Sequence, residues 1–201
     1  AAEAALAAAE AASAAAVAAL AEEAHPVTGD ESAVGRLRRV WRHRWSSGRE
    51  ANRHFDADAF RRIEEAIAGG ERRHRGEIRF ALEAELDLYP LWAAMTPRER
   101  ALQVFAEQGV WDTEGNTGVL IYLLWADHAV EIVADRAADR ALPPARWQQI
   151  CATMVEACRA GRPVDGAIAA IHAIHAALEP VLPPLEDRTN PDELSNRPVR
   201  L

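Results

Sequence analysis

The run Gly118-Val-Leu-Ile-Tyr-Leu-Leu-Trp125 is almost unbroken in apolar side chains, and no other segment constrains the fold as tightly. A strand covered on both faces has no wet side on which polar residues would alternate, so it looks like this. Asp127-His128 then offers a tight turn, and Val130-Glu-Ile-Val-Ala134 returns as the next strand. A connection this short joins only antiparallel neighbours. The pair is therefore a hairpin, and the sheet is mixed or partly antiparallel.

The rest of the chain supplies layers for that sheet. Ile78, Phe80 and Leu82 alternate with Arg79 and Glu83, the pattern of a strand with one wetter face. Before it, Asp56 or Asp58 can cap a helix that carries Phe60, Ile63 and Ile67 on one side. Gly69 and Gly70 weaken its far end. Thr96-Pro97-Arg98-Glu99 is a helix start, with a threonine cap, a proline at the first position and a glutamate to close the capping box. Leu102, Phe105 and Ala106 form its buried side, and Gly109 stops it. Pro143-Pro144 opens a long helix bearing Trp147, Ile150, Cys151, Met154, Val155 and Cys158, which ends at Gly161. Asp165 can cap a last helix with Ile168, Ile171, Ile174, His175 and Leu178 on its apolar side, and Pro180, Pro183 and Pro184 prevent continuation. The order α-β-α-β-β-α-α gives an α/β fold, a three-layer α/β/α sandwich around a short mixed sheet.

This domain spans residues 54–185, and residues 186–201 form a polar tail that Leu194, Val199 and Leu201 can pin back. Residues 1–24 are an Ala-rich helix former. Residues 25–53 combine a linker with a basic amphipathic helix, in which Leu37, Trp41 and Trp45 recur at four-residue spacing among arginines. The 35–45 helix suits peripheral contact with an anionic membrane, docking on a protein partner, or folding back on its own domain. Net charge is −8 and there is no lysine. Residues 25–53 are basic, with seven Arg against Asp30, Glu31 and Glu50, while 54–201 is acidic overall. That balance argues against nucleic-acid binding. No window reaches 18 uninterrupted apolar residues, so no transmembrane helix is expected. Cys151 and Cys158, about two turns apart on one helix, are too far apart for a disulfide within it. Reduced, structural cysteines fit a cytoplasmic location.

Chemistry concentrates at Val110-Trp-Asp-Thr-Glu-Gly-Asn-Thr-Gly118. Asp112, Glu114 and Asn116 alternate directly before the buried strand, and Gly115 allows a sharp turn. Oxygen ligands at alternate loop positions suit a hard cation such as calcium or magnesium. The hairpin returns Asp135 toward Gly118, whereas Asp127 sits at the far end, about 20 Å away along the strand. The candidate metal ligands are thus Asp112, Glu114, Asn116 and Asp135. A plain solvated loop, and a salt bridge from Asp135 to Arg136 or Arg140, account for the same residues. His172 and His175 share a helix face, one to be buried and one flanking, while His74 and His128 are loop residues with no evident partner. Arg72, Arg73, Arg75 and Arg79 suit either an anionic group or a charged sheet edge. No P-loop, G-x-G-x-x-G or G-x-S-x-G occurs, so no nucleotide or organic cofactor is expected and no catalytic nucleophile is assigned.

Three stretches, Ala106–Trp111, Gly115–Leu124 and Val130–Arg136, resemble the TPM domain, a family named for a thylakoid-lumen protein, a photosystem II assembly protein and a nematode receptor modulator. His74-Arg-Gly-Glu-Ile-Arg79, Ile150, Met154, Arg159-Ala-Gly-Arg162 and Asn190-Pro-Asp-Glu-Leu-Ser-Asn-Arg-Pro-Val199 are similar to its short soluble bacterial branch. The likeness runs from about His54 to Leu201. It implies a compact α/β/α domain. It also implies one of the activities described for members: acid phosphatase, calcium binding, or assembly of membrane complexes. The family's asparagine-glycine turn corresponds here to Asn116-Thr117-Gly118. The usual glycine-rich stretch after the hairpin is replaced by Ala134-Asp-Arg-Ala-Ala138. Two functions follow as expectations. One is a binding or assembly module with a protein partner and a divalent ion at the acidic loop. The alternative is a metal-assisted acid phosphatase acting on phosphomonoesters, with Arg136 steadying the substrate.

Overall fold

The computed structural model describes residues 47–87, 95–184 and 193–201. The Ala-rich segment and the basic helix expected over 35–45 lie outside the described residues. Ten elements follow in order: α1 (Ser47–His54), α2 (Ala57–Glu71), β1 (Glu77–Glu83), α3 (Pro97–Glu107), β2 (Gly118–Leu124), β3 (Ala129–Ala134), α4 (Arg136–Ala141), α5 (Pro144–Arg159), α6 (Pro163–Leu178) and β4 (Val199–Arg200). The sheet order is β3-β2-β1-β4. β1 pairs parallel with β2 over their whole length, Glu77 opposite Gly118 through Glu83 opposite Leu124. β2 and β3 form the hairpin, with Val119 opposite Ala134. β4 adds to the other side of β1, also parallel.

All seven residues of β2 are buried because both faces carry helices. Ile78, Phe80, Leu82, Val119, Ile121 and Leu123 face a large core closed by α1, α2, α5 and α6. Ala81, Leu120, Tyr122 and Leu124 face a second core under α3. The mixed sheet flanked by helices is the expected α/β/α arrangement. Thr96 caps α3, and the reciprocal Glu99 bond completes the capping box. Asp56 caps α2 through the Ala59 N–H, at 2.9 Å. Gly109 and Gly161 follow α3 and α5 with positive φ, the left-handed conformation that ends a helix.

Several local expectations are corrected. Within residues 25–53, expected to be linker and basic helix, a further helix α1 begins at Ser47 and buries Ala51, and Phe55 is buried just past its end. Phe55 stacks on Phe80 at 6.2 Å and meets Trp125 edge-on at 6.0 Å, which ties α1 to the sheet. β1 has no wet face. Glu83 is buried and Arg79 is half-covered, because α3 and the tail lie over that side. Arg79 donates to the carbonyls of Ser195, at 2.6 Å, and Arg197, at 3.0 Å, so it straps the tail and holds no free anion. Asp165 does not cap α6. That helix starts at Pro163 without a side-chain cap, and Asp165 pairs with Arg62 at 3.0 Å. A short helix, α4, follows the hairpin with Asp135 as its cap.

The two glycines near the end of α2 have opposite roles. A Cβ on exposed Gly69 would meet nothing within 4 Å, whereas one on Gly70 would lie 2.1 Å from the His175 ring. Gly70 is the gap into which His175 packs. Gly69→Ala should therefore raise stability by about 0.5–1 kcal/mol through helix propensity. Gly70→Ala should lower it by roughly 1–3 kcal/mol through overpacking. Urea unfolding midpoints of the two single variants will show the opposite signs.

Candidate functional site

The acidic loop enters β2 through a bend that the backbone holds closed. The Thr117 N–H donates to Thr113 Oγ1 at 2.9 Å, and the Asn116 N–H donates to the Thr113 carbonyl at 3.0 Å. The left-handed residue of this bend is Asn116, with φ 52°, and not Gly115 as the sequence suggested. Asparagine tolerates that region better than other residues with a side chain. Gly118 is the glycine the bend cannot lose, because a Cβ there would lie 1.9 Å from the Val110 carbonyl oxygen. Thr117 fastens the bend to the turn before β1. Its hydroxyl donates to the Arg75 carbonyl at 2.8 Å, and its carbonyl accepts the Glu77 N–H at 3.2 Å.

The hairpin brings Asp135 to this bend. The Asp135 N–H donates to the Gly118 carbonyl at 2.8 Å, and the Ala137 N–H donates to the Asn116 carbonyl at 2.9 Å. Asp135 Oδ1 accepts the Arg136 N–H at 2.7 Å. Asp135 Oδ2 is buried with no hydrogen-bond partner among the described residues. The exposed Arg136 guanidinium stays at the edge, with Nε 4.0 Å from Oδ1. The bend is thus joined to the start of α4 through two backbone bonds, Gly118 to Asp135 and Asn116 to Ala137. Asp112 and Glu114 are exposed on the outer side of the bend, and Trp111 beside them is 41 % exposed. A residue the sequence did not single out joins them. Glu193, from the tail, accepts the Glu114 N–H at 2.8 Å. It lies 79 residues away, and only the folded tail places it there. Among the described residues, no three His, Cys, Asp or Glu side chains form a group that could hold a metal ion.

The opposite end of the parallel pair carries a second polar cluster. Arg100 Nε donates to Glu83 Oε2 at 2.9 Å and Nη2 donates to Oε1 at 3.2 Å, while the Tyr122 hydroxyl donates to Oε2. Burial, then the Glu83 charge, pushes the Tyr122 phenol well up, so it remains a donor. Burial alone would lower the Arg100 guanidinium, but the bonds and charge of Glu83 outweigh it. Asp127 belongs to this end, since its charge acts on Tyr122. Carboxyl ends of parallel strands commonly bind ligands. Here both Glu83 oxygens are already taken up by Arg100 and Tyr122, so the cluster works as a clasp between β1, β2 and α3. Cys151 is half-buried and free, and burial pushes its thiol up to about 11, which leaves it a poor nucleophile. A separate cleft of about 420 Å³ lies between α2 and the tail. Its Arg200 is committed to the Phe55 carbonyl and to the face of Phe60, 5.0 Å from the ring centre.

A family profile described as the TPM domain matches residues 51–177. The fold is similar to the NMR structure of the BA42 protein from the psychrophilic bacterium Bizionia argentinensis. The TM-score is 0.63 at 25 % identity, and the match covers 72 % of this chain and 94 % of that one. A comparison with curated proteins gave no match. No helix among the described residues is long and apolar enough to cross a membrane.

Removing the Glu83 carboxylate would leave half-buried Arg100 with Glu107 as its remaining carboxylate and the buried Tyr122 hydroxyl without its acceptor. Glu83→Ala should cost about 3 kcal/mol, and Tyr122→Phe, which removes one hydrogen bond, about 1 kcal/mol. Denaturant unfolding of both variants checks this order.

Proposed function

The chain belongs to the TPM domain family, and from that premise we propose that it is a binding or assembly module that holds a divalent cation, calcium or magnesium, at the bend over residues 112–118. The observation that carries this reading is the Asp135 carboxylate. One oxygen is spent on the cap of α4, and the other is buried without a partner. A buried carboxylate oxygen left unsatisfied is costly, and such an atom is accounted for by a bound ion or an ordered water. The neighbouring donors are those a hard cation takes. Asn116 is joined to the α4 start, and the Asp112 and Glu114 side chains project from the same bend. Few of these groups are gathered in advance, so water would complete the coordination and binding would be weak, with Kd on the order of 10⁻⁴ M or higher.

The protein partner of such a module would meet the exposed Trp111 beside the bend. The two free cysteines suit a reducing compartment such as the cytoplasm.

Calorimetric titration of calcium and of magnesium into the protein at pH 7 should give saturable heat. Asp135→Asn should weaken binding about tenfold or more, and Asp112→Asn should weaken it less. Unchanged heat in Asp135→Asn removes the site. A phosphomonoester assay on the same variants separates the two activity classes. Binding without turnover favours the module. Turnover that disappears together with metal binding would favour a metal-assisted hydrolase, in which the exposed Arg136 steadies the phosphoryl oxygens.

A further inference from the structure

His74 and His175, 101 residues apart, are both fully buried, and His74 Nε2 lies 2.6 Å from His175 Nδ1. Two backbone groups fix where their protons sit. The Gly76 N–H can only donate, and it points at His74 Nδ1 at 3.0 Å. The Ala66 carbonyl can only accept, and it faces His175 Nε2 at 3.1 Å. His74 must therefore carry its proton on Nε2 and donate it to His175 Nδ1. His175 carries its own on Nε2 and donates to Ala66. The row from Gly76 to Ala66 has one donor and one acceptor at every junction. A single added proton, on either ring, leaves two donors facing each other at one junction.

The same turn holds the acidic bend. Between His74 and the start of β1, Gly76 bonds to the imidazole, while the flanking Arg75 carbonyl and Glu77 N–H bond to Thr117. The Arg75 N–H also bonds to the Leu182 carbonyl just past α6, at 2.9 Å. We propose that the His74–His175 pair is an acid-sensitive latch that, while neutral, holds the turn at 74–77 against α6 and thereby keeps the 112–118 bend closed. A proton on His74 Nδ1 breaks the Gly76 junction, one residue from each bond to Thr117, and a proton on His175 Nδ1 breaks the junction that ties the turn to α6. The bend then loosens, and Asn116 loses its fixed place beside Asp135.

The surroundings favour the neutral pair. Burial is the largest cause and brings both imidazoles down to about 4, helped for His74 by Arg73 and for His175 by the His74 ring, Arg73 and His172. Opposing it are the Ala66 hydrogen bond on His175 and the charge of Glu179 on His74. Glu179 is itself paired with Arg73 at 3.2 Å. The other charged groups of this turn are Arg75, whose Nε donates to the Pro183 carbonyl, and two buried glutamates. Glu71 accepts the Ile78 N–H, and Glu77 accepts the Leu194 N–H. Both histidines have folded pKa values below the unfolded value near 6.5. Between about 6.5 and about 4, the opened or unfolded chain binds protons that the closed form refuses. Stability is whole above that window, falls as pH drops through it, and levels off below.

Regulation of cation holding by this latch rests on the reading above, but the latch is tested without any cation. Imidazole ¹⁵N shifts report the protonation of each ring, and amide exchange protection reports the bend, both followed from pH 7 to pH 4. At pH 7 the shifts should show both rings neutral with the proton on Nε2. As they protonate, protection at Thr117 and Glu77 should fall about tenfold or more relative to Ile121 in the middle of β2. The double variant His74→Gln/His175→Gln cannot take the proton and should abolish that step. Should that variant fail to fold, Thr117→Val keeps the pair but removes the bond to Arg75. It should retain the imidazole titration while the pH step at position 117 shrinks. Protonation without any change at Thr117 and Glu77 overturns the latch, as does an undiminished step in either variant. Absence of calcium heat at pH 7 would overturn the cation site and leave the latch standing. Calcium heat equal at pH 7 and pH 4 would overturn the latch's control of that site.

Discussion

The parallel pairing of β1 with β2 is the constraint on which the rest of the structure depends. Its register places Glu77 beside Gly118 at one end and Glu83 beside Leu124 at the other. The acidic bend and the Glu83 cluster are each hung from one of those ends. At the first, the acidic bend is sewn to the turn before β1 by Thr117, and at the second Glu83 gathers Arg100 and Tyr122. A one-residue slip would turn every side chain of a strand to the other face. It would also part Thr117 from Arg75 and Glu83 from Tyr122, so the buried polar bonds oppose the slip along with the core.

The two cores are unequal, and the inequality explains where the charges lie. The face under α1, α2, α5 and α6 is mostly apolar, with the histidine pair and Glu71 at its edge near the turn before β1. The face under α3 is thinner, and there buried Glu83 meets half-buried Arg100. A charge in that position is tolerable only when paired and hydrogen-bonded. The clasp then fixes the angle of α3 to the sheet, a job that a thin apolar contact does less well.

What could be read from the sequence was whatever has a period or a local signature. β2 showed itself by having no wet face, the hairpin by its short connection, and α3 by its capping box. The placement of Asp135 beside Gly118 followed from hairpin length alone. α4 is six residues long, with a single buried alanine, and so left no apolar rhythm to find. β4 is a strand only because β1 lends it an edge. Glu193 reaches the bend across 79 residues, and His74 finds His175 across 101. No spacing rule foresees such encounters, which is why His74 looked solitary. Gly70 looked like a weakness in α2 until the ring that fills its missing side chain was placed.

Arg200 carries one more implication. By gripping the Phe55 carbonyl and lying over Phe60, it sets β4 directly against α1 and the start of α2. The first and last described pieces of the domain are therefore neighbours. A unit whose ends emerge side by side can be spliced into a host loop, or joined end to end and reopened elsewhere, without unthreading its sheet. The exposed bend at Gly161, between α5 and α6, takes part in no strand pairing and is a natural place for such a new opening.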